Sequence, residues 1–215
     1  MIKEFDKIKC IFKRNPVTKK VTQEFSSEMF EVLKDCPYWE FTEKIDGTNI
    51  RVHWDGHKFN FYGRTDKSDI PKKLLSKLEE IFINDYMEEK MEELVGNKEC
   101  IIFGEGYGDG IQKCGKDYIE DGNDFIVFDI IVDGEYVDDY RSFCNAIGLK
   151  FVPVIFTGDL EDGFVYVRRG HKSEIGSCEF EGLVGRLPNC IRDKDGNVIR
   201  IKIKVKDMKD LEVEE

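Results

Sequence analysis

The run Glu43-Lys44-Ile45-Asp46-Gly47-Thr48-Asn49 sets a lysine, an acid and a turn glycine side by side. A lysine at the end of one strand, next to an Asp-Gly turn into the following strand, can project into a cleft. The glycine lets a ligand come close to the backbone. A lysine amine is a nucleophile once neutral, and burial or nearby cations make it so. The same residues also fit a hairpin turn carrying a surface lysine. Further on, Arg200, Lys202, Lys204 and Lys206 alternate with Ile199, Ile201, Ile203 and Val205. Strand geometry then gives one apolar face and one column of positive charge. The column suits a polyphosphate, and it suits equally a solvated edge strand defended by lysines.

Four smaller groups carry polar residues at strand ends. Gly104-Glu105-Gly106 closes an apolar strand with a carboxylate suited to a ribose hydroxyl or a hydrated metal. It is not a dinucleotide fingerprint, because Asp109 stands where the third glycine belongs. Phe125-Ile126-Val127-Phe128-Asp129-Ile130 reads as a buried strand holding one acid, and that acid needs a partner. Phe128 is either core or a platform for a base. Glu181-Gly182-Leu183-Val184-Gly185-Arg186 starts with a carboxylate and ends with a cation, and Arg64 ends a hairpin where it can grip an anion. Asp193 and Asp195 hint at a calcium loop, but Gly196 comes too early for one, so a β-turn is expected.

The elements that must hold these residues read as mixed. Asn49–Trp54 and Lys58–Tyr62 form a hairpin around Asp55-Gly56-His57. Further strands are expected at 99–104, 124–132, 151–156, 164–168, 180–186 and 198–205. Ser26-Ser27-Glu28 can cap a short helix to about residue 35. A helix starting at Pro71 carries Leu74, Leu75, Leu78, Ile81 and Phe82 on one stripe and runs, with a possible break, to Leu94 before Gly96. A third helix spans about 139–148. The pattern is α+β with antiparallel sheets and flanking helices.

The 215 residues carry 33 Lys and Arg against 44 Asp and Glu, a net charge of −11. This balance excludes a globally basic nucleic-acid coat but leaves room for a local basic groove. Basic residues gather at Lys13, Arg14, Lys19 and Lys20, at Arg168, Arg169 and Lys172, and along the last strand. No apolar run is long enough to span a bilayer, so no membrane partner is expected. Seven scattered cysteines without a Cys-x-x-Cys pair, and only three histidines, argue against disulfide frameworks and zinc knuckles. A reducing, cytoplasmic setting follows.

The ordered series Lys-x-Asp-Gly, Arg, Gly-Glu-Gly, Phe-Asp, Glu-Gly-Leu-Val-x-Arg and Lys-x-Lys resembles the covalent nucleotidyltransferase superfamily of polynucleotide ligases and mRNA capping enzymes. Within it, EKIDGTN followed by FYGRTDKSDIP is most similar to the ATP-dependent RNA ligases of the RNA ligase 2 branch. The resemblance covers roughly residues 8 to 207. It implies a nucleotidyltransferase (adenylyltransferase) domain of ligase/ATP-grasp-like type at 1–209, with no appended OB-fold, and an acidic tail at 210–215. It implies ATP as cosubstrate, Mg2+ or Mn2+ as cofactor, and RNA strand ends in a nicked or paired context as partner. An accessory protein could supply grip on the strand, and a compact ligase would suit a virus.

By the same resemblance Lys44 would take up AMP, and Lys202 and Lys204 would hold the α-phosphate, with Lys206 a register alternative. Glu43 would meet the adenine amino group and Phe128 would stack on the base, with Asp129 as the acid of the Phe-Asp pair. Asp46 belongs to the lysine motif. Asn49 and Arg64 would reach the sugar and phosphates. Glu105 and Glu181 would lie near the ribose and organise the metal. Arg186 stands where relatives often have lysine, so it keeps the charge without the point geometry. Three alternatives compete: a small DNA ligase, a capping-type guanylyltransferase, and a nucleotide- or RNA-end-binding protein without turnover.

Overall fold

A computed structural model describes residues 2–212. The N-terminal part holds β1 (Lys9–Cys10), β2 (Phe12–Arg14), β3 (Val21–Phe25), α1 (Glu28–Leu33) and β4 (Trp39–Glu43). The middle holds β5 (Thr48–Trp54), β6 (Phe59–Tyr62), α2 (Lys72–Phe82), α3 (Asp85–Val95), β7 (Cys100–Gly108), α4 (Gly115–Tyr118), β8 (Asn123–Val132), β9 (Glu135–Tyr136) and α5 (Tyr140–Ile147). The last third holds β10 (Val154–Gly158), α6 (Leu160–Arg169), β11 (Gly182–Arg186), β12 (Arg200–Lys204) and α7 (Val205–Glu212). The expected α+β class with antiparallel sheets and flanking helices is what forms. Among the named strands of the described residues β1 and β12 pair in parallel, Lys9 lying opposite Ile201, and a single parallel bridge joins Val127 to Phe151. Among the described residues no helix is long and apolar enough to cross a membrane.

The chain divides into two compact units. The unit built on Asp46–Val152 has a five-stranded sheet in the order β6-β5-β7-β8-β9. Its core joins Ile50, Val52 and Trp54 of β5 to Leu74 and Leu78 of α2, Met91 of α3 and Cys144 of α5. The expected long helix is broken between α2 and α3. There the Asn84 side chain accepts the Met87 backbone N–H at 2.9 Å and starts a new helix.

The unit built on Asp6–Ile45 and the chain from Pro153 onward has a five-stranded sheet in the order β1-β12-β11-β4-β10 and a separate β2-β3 hairpin. Its core joins Trp39 and Phe41 of β4 to Phe164 and Val167 of α6, Leu183 of β11 and Ile201 and Ile203 of β12.

Three expectations change here. Residues 164–168 belong to helix α6, not to a strand. Asp159 and Asp162 form a reciprocal capping box at its start, and Leu160, Gly163, Phe164 and Val167 turn inward at helical spacing. The strand expected at 151–156 begins only at Val154. The last strand ends at Lys204, so Lys206 lies on α7 and leaves the charge column. Asp210 and Glu212 continue α7, and residues 213–215 of the expected acidic tail lie outside the described residues. The edge-strand alternative also fails, since β12 runs between β1 and β11.

Candidate active site

Lys44 follows β4, and its backbone N–H donates to the Gly182 carbonyl at 2.9 Å. Its Nζ lies 2.6 Å from Glu181 Oε2, and Lys204 Nζ lies 2.5 Å from Oε1 of the same carboxylate. One carboxylate therefore bridges two ammonium groups. All three side chains are largely sheltered, with 19–22% exposure, so bulk water does not fully screen the pairing. Gly182 makes this approach possible. At φ 151° an added Cβ would stand 2.1 Å from the Ile203 carbonyl, so the residue after Glu181 must be glycine.

The register of β11 with its neighbours fixes the faces. Leu183 pairs with Glu43 and with Ile203 on the core side, whereas Val184 pairs with Lys202 on the other. Lys202 is half-buried. Burial pushes its amine below the usual lysine range, and the charges of Lys204, Lys44 and Lys7 push the same way against an opposing pull from Cys10. The cationic surrounding expected at Lys44 is seen in its effect on Lys202, to which Lys44 itself contributes. The charge nearest the Lys44 amine is a carboxylate.

Glu43 sits on the core-facing side and is almost fully buried. Its Oε2 accepts the Glu174 backbone N–H at 2.8 Å, while Oε1 is buried without a hydrogen-bond partner. Burial raises its proton affinity above that of an ordinary carboxylate, against the pull of hydrogen bonds from Ser173 and Glu174. Arg186 lies at the opposite end of β11 from Glu181, about 16 Å along the strand at the usual rise per residue, in register with Glu40 and Arg200. It is not gathered with the two lysines. The Asp193 turn forms as expected. Lys9 and the backbone N–H groups of Asp195 and Asn197 occupy its carboxylate and hold it at about 2.

The other unit carries the remaining expected residues. Asn49 of β5 lies directly opposite Glu105 of β7, on one face of the sheet. Asn49 Oδ1 is buried without a partner. The glycines around Glu105 are required by packing. A Cβ on Gly104 would stand 2.3 Å from the Phe125 ring, and one on Gly106 would stand 2.4 Å from Leu74. Phe128 is half-buried, with its ring 4.8 Å from Phe5 in an edge-on contact. Its neighbour Asp129 is buried in β8.

Two groups of residues that the sequence reading passed over position these side chains. Tyr118, Cys114 and Gln112 clamp the Asp46-Gly47 turn. The Asp46 N–H donates to Tyr118 Oη at 3.2 Å, Cys114 Sγ reaches Asp46 Oδ2 at 3.3 Å, and Gln112 Nε2 donates to the Gly47 carbonyl at 2.9 Å. Arg51, fully buried, holds the turn that carries the exposed Arg64. Its guanidinium donates to the Gly63 carbonyl, to Asp66 and to the Ile2 carbonyl. Arg51 and His53 alternate with Ile50, Val52 and Trp54, a pattern that puts Arg51 on the polar face and gave no sign of its burial. Among the described residues no three His, Cys, Asp or Glu side chains are grouped to cage a metal ion. Mg2+ commonly binds through one or two carboxylates plus substrate phosphates, so Glu181 in its unit and Glu105 in the other each fit by donor type, taken separately.

The RNA ligase family model matches residues 37–204. Among curated proteins none matches. Solved structures of Naegleria gruberi RNA ligase are similar in fold. A variant with ATP and Mn superposes with TM-score 0.62 at 20% identity, over 85% of this chain and 55% of that one. A variant with AMP and Mn gives 0.61 at 20% identity, over 82% and 52%. An apo variant gives 0.63 at 18% identity, over 93% and 59%. The chain thus spans little more than half the length of these structures. The matched residues include Lys44, Glu105, Glu181 and Lys204, and over most of its length this chain belongs to the RNA ligase family.

Proposed function

We propose that the chain is the nucleotidyltransferase part of an ATP-dependent RNA ligase, which joins a 3′-hydroxyl to a 5′-phosphate through AMP carried on Lys44. The observation that carries this reading is the Glu181 carboxylate shared by the Lys44 and Lys204 amines, with half-buried Lys202 two residues before Lys204 on β12. A lysine is held beside fixed cations of the kind that phosphoryl transfer needs. The structures of Naegleria RNA ligase with AMP or ATP and Mn support the choice of nucleotide and of a divalent cation.

In the first step Lys44 leaves Glu181, loses a proton and attacks the α-phosphorus of ATP. A P–N bond forms, the bond to the bridging oxygen breaks, and pyrophosphate departs. Lys204 and Lys202 stabilise the negative charge on the phosphoryl oxygens. The adenylate then passes to a 5′-phosphate on RNA, which restores the amine, and attack by a 3′-hydroxyl joins the strands and releases AMP. Asn49, Arg64 and Glu105 serve the sugar and phosphates, and Phe128 serves the base. Glu181, beside the lysine pair, is a carboxylate that would hold a bound Mg2+, which would neutralise charge on phosphate oxygens.

The test is intact-mass spectrometry after incubation with Mg2+ and ATP, or GTP in parallel. The expected result is one AMP added to the wild-type chain and none to Lys44→Ala, with the far-UV spectrum of the variant unchanged. No adduct on the wild type, or an adduct that persists in Lys44→Ala, overturns the reading. A GMP adduct instead assigns the chain to capping-type chemistry.

A further inference from the structure

Beside the β2-β3 hairpin and the start of α7 lies an open cleft of about 340 Å³. Arg14, Lys19, Lys20 and Lys206 line it together with Asp207 and Asp210. We propose that this cleft is a docking surface for the phosphodiester backbone of the RNA strand, separate from the Lys44 cluster. The proposal rests on the RNA ligase reading above.

Arg14 and Asp207 neutralise each other at 2.7 Å. Among the described residues Lys19, Lys20 and Lys206 make no ion pair, and one further carboxylate, Asp210, faces them. The lining therefore carries four cations and two anions, a local excess of two positive charges on a chain whose net charge is −11. Such a chain repels a polyanion at long range, and physiological salt screens that repulsion beyond about 8 Å. A strand must then be held by a local positive surface, and this cleft is one.

The surface is also preformed. Asn15 Oδ1 accepts the backbone N–H groups of Val17 and Thr18, at 2.9 and 3.0 Å. The Asn15 N–H donates to the Lys20 carbonyl, and Arg14 donates to the Lys19 carbonyl. The hairpin tip is tied down while both lysine side chains stay exposed. Presenting them costs little extra ordering on binding. The chemistry favours a backbone over a single anion. The one guanidinium that could fork onto a phosphate is committed to Asp207, and the lysines are point charges on flexible stems. They suit phosphates spaced along a strand, without regard to base sequence.

The experiment measures binding of the full chain to nicked RNA duplexes of two unrelated sequences across a salt series, by fluorescence anisotropy. Lys19→Gln/Lys20→Gln is expected to weaken both duplexes equally and to lower the slope of log affinity against log salt by about 2, roughly one per lysine. Adding Lys206→Gln is expected to remove about one more. AMP loading from ATP without RNA stays at the wild-type level in Lys19→Gln/Lys20→Gln. Inorganic phosphate at matched ionic strength does not displace the duplex. Unchanged slope and affinity in the double variant overturn the proposal. Displacement by inorganic phosphate overturns it in favour of a small-anion site. A chain that loads no AMP at all sinks the ligase reading instead, and the salt slopes still decide the cleft.

Discussion

At the residue scale, Glu43 combines a bonded and an unbonded carboxylate oxygen in a buried place. One carboxylate oxygen is bonded to the Glu174 N–H and the other is buried without a partner. A buried acceptor of this kind destabilises the protein. The pH dependence has a definite sign. Burial raises the folded-state proton affinity above the ordinary 4.5, so the folded chain holds a proton that the unfolded chain has lost. Stability from this group is full below 4.5 and is lost as pH rises through the raised value. Glu43→Gln keeps an acceptor for the Glu174 N–H and cannot ionise. Thermal melts of the nucleotide-free chain should therefore match the wild type at about pH 4 and exceed it at about pH 8. A variant that melts lower at the higher pH contradicts this account. Loading of AMP should fall in the same variant if Glu43 meets the base.

At the element scale, the Arg51 side chain of β5 organises the turn after β6. A single guanidinium holds two carbonyls and one carboxylate, at 2.8 to 3.2 Å. Lysine has the charge but not the fork, so Arg51→Lys leaves buried acceptors unmet. The expected loss is roughly 2–4 kcal/mol in urea unfolding, and a loss below about 0.5 kcal/mol would show that the turn is held by other contacts. The turn in question carries Arg64, whose place the sequence disclosed through its motif, while the residue that fixes it was hidden by the alternating pattern of β5. The same contrast runs through the fold. The β5-β6 hairpin, α1 and α5 were readable because each has a local signature, such as Asp-Gly, the Ser27 cap or the Gly148 stop. Helix α6 was misread because Phe164, Val165, Tyr166 and Val167 are strand formers. Its helix is set by the Asp159–Asp162 cap and by packing, and Gly163 lets it approach Phe41 and Ile203, where a Cβ would stand 2.8–2.9 Å away. The break between α2 and α3 was foreseen, but the cap that causes it lay in Asn84. The clamp on Asp46-Gly47 was illegible, because Gln112, Cys114 and Tyr118 lie some 65 to 72 residues from the turn they hold.

At the scale of the whole molecule, the chain leaves one compact unit after Ile45 and re-enters it at Pro153, so the lysine motif runs across the boundary. Each unit has a hydrophobic core of its own. One is centred on Trp54, Leu74, Leu78 and Phe82, and the other on Trp39, Phe41, Leu183 and Ile201. The expected site residues divide in the same way, with Lys44, Glu181, Lys202 and Lys204 in one unit and Asn49, Arg64, Glu105 and Phe128 in the other. Separate cores predict separate cooperative units in hydrogen exchange, because protection follows the packing that must be broken to expose an amide. Leu78 is fully buried in α2. Leu78→Ala removes side-chain contacts there and destabilises its unit by about 2–5 kcal/mol. Exchange of the slowest amides in 46–152 should accelerate accordingly, by a factor of ten for each 1.4 kcal/mol or so, while amides of β4, β11 and β12 keep their wild-type rates. Equal acceleration in both sets would mean that the two cores open as one, and that a change anywhere in the Asp46–Val152 unit must also disturb the strands that hold Lys44, Glu181 and Lys204.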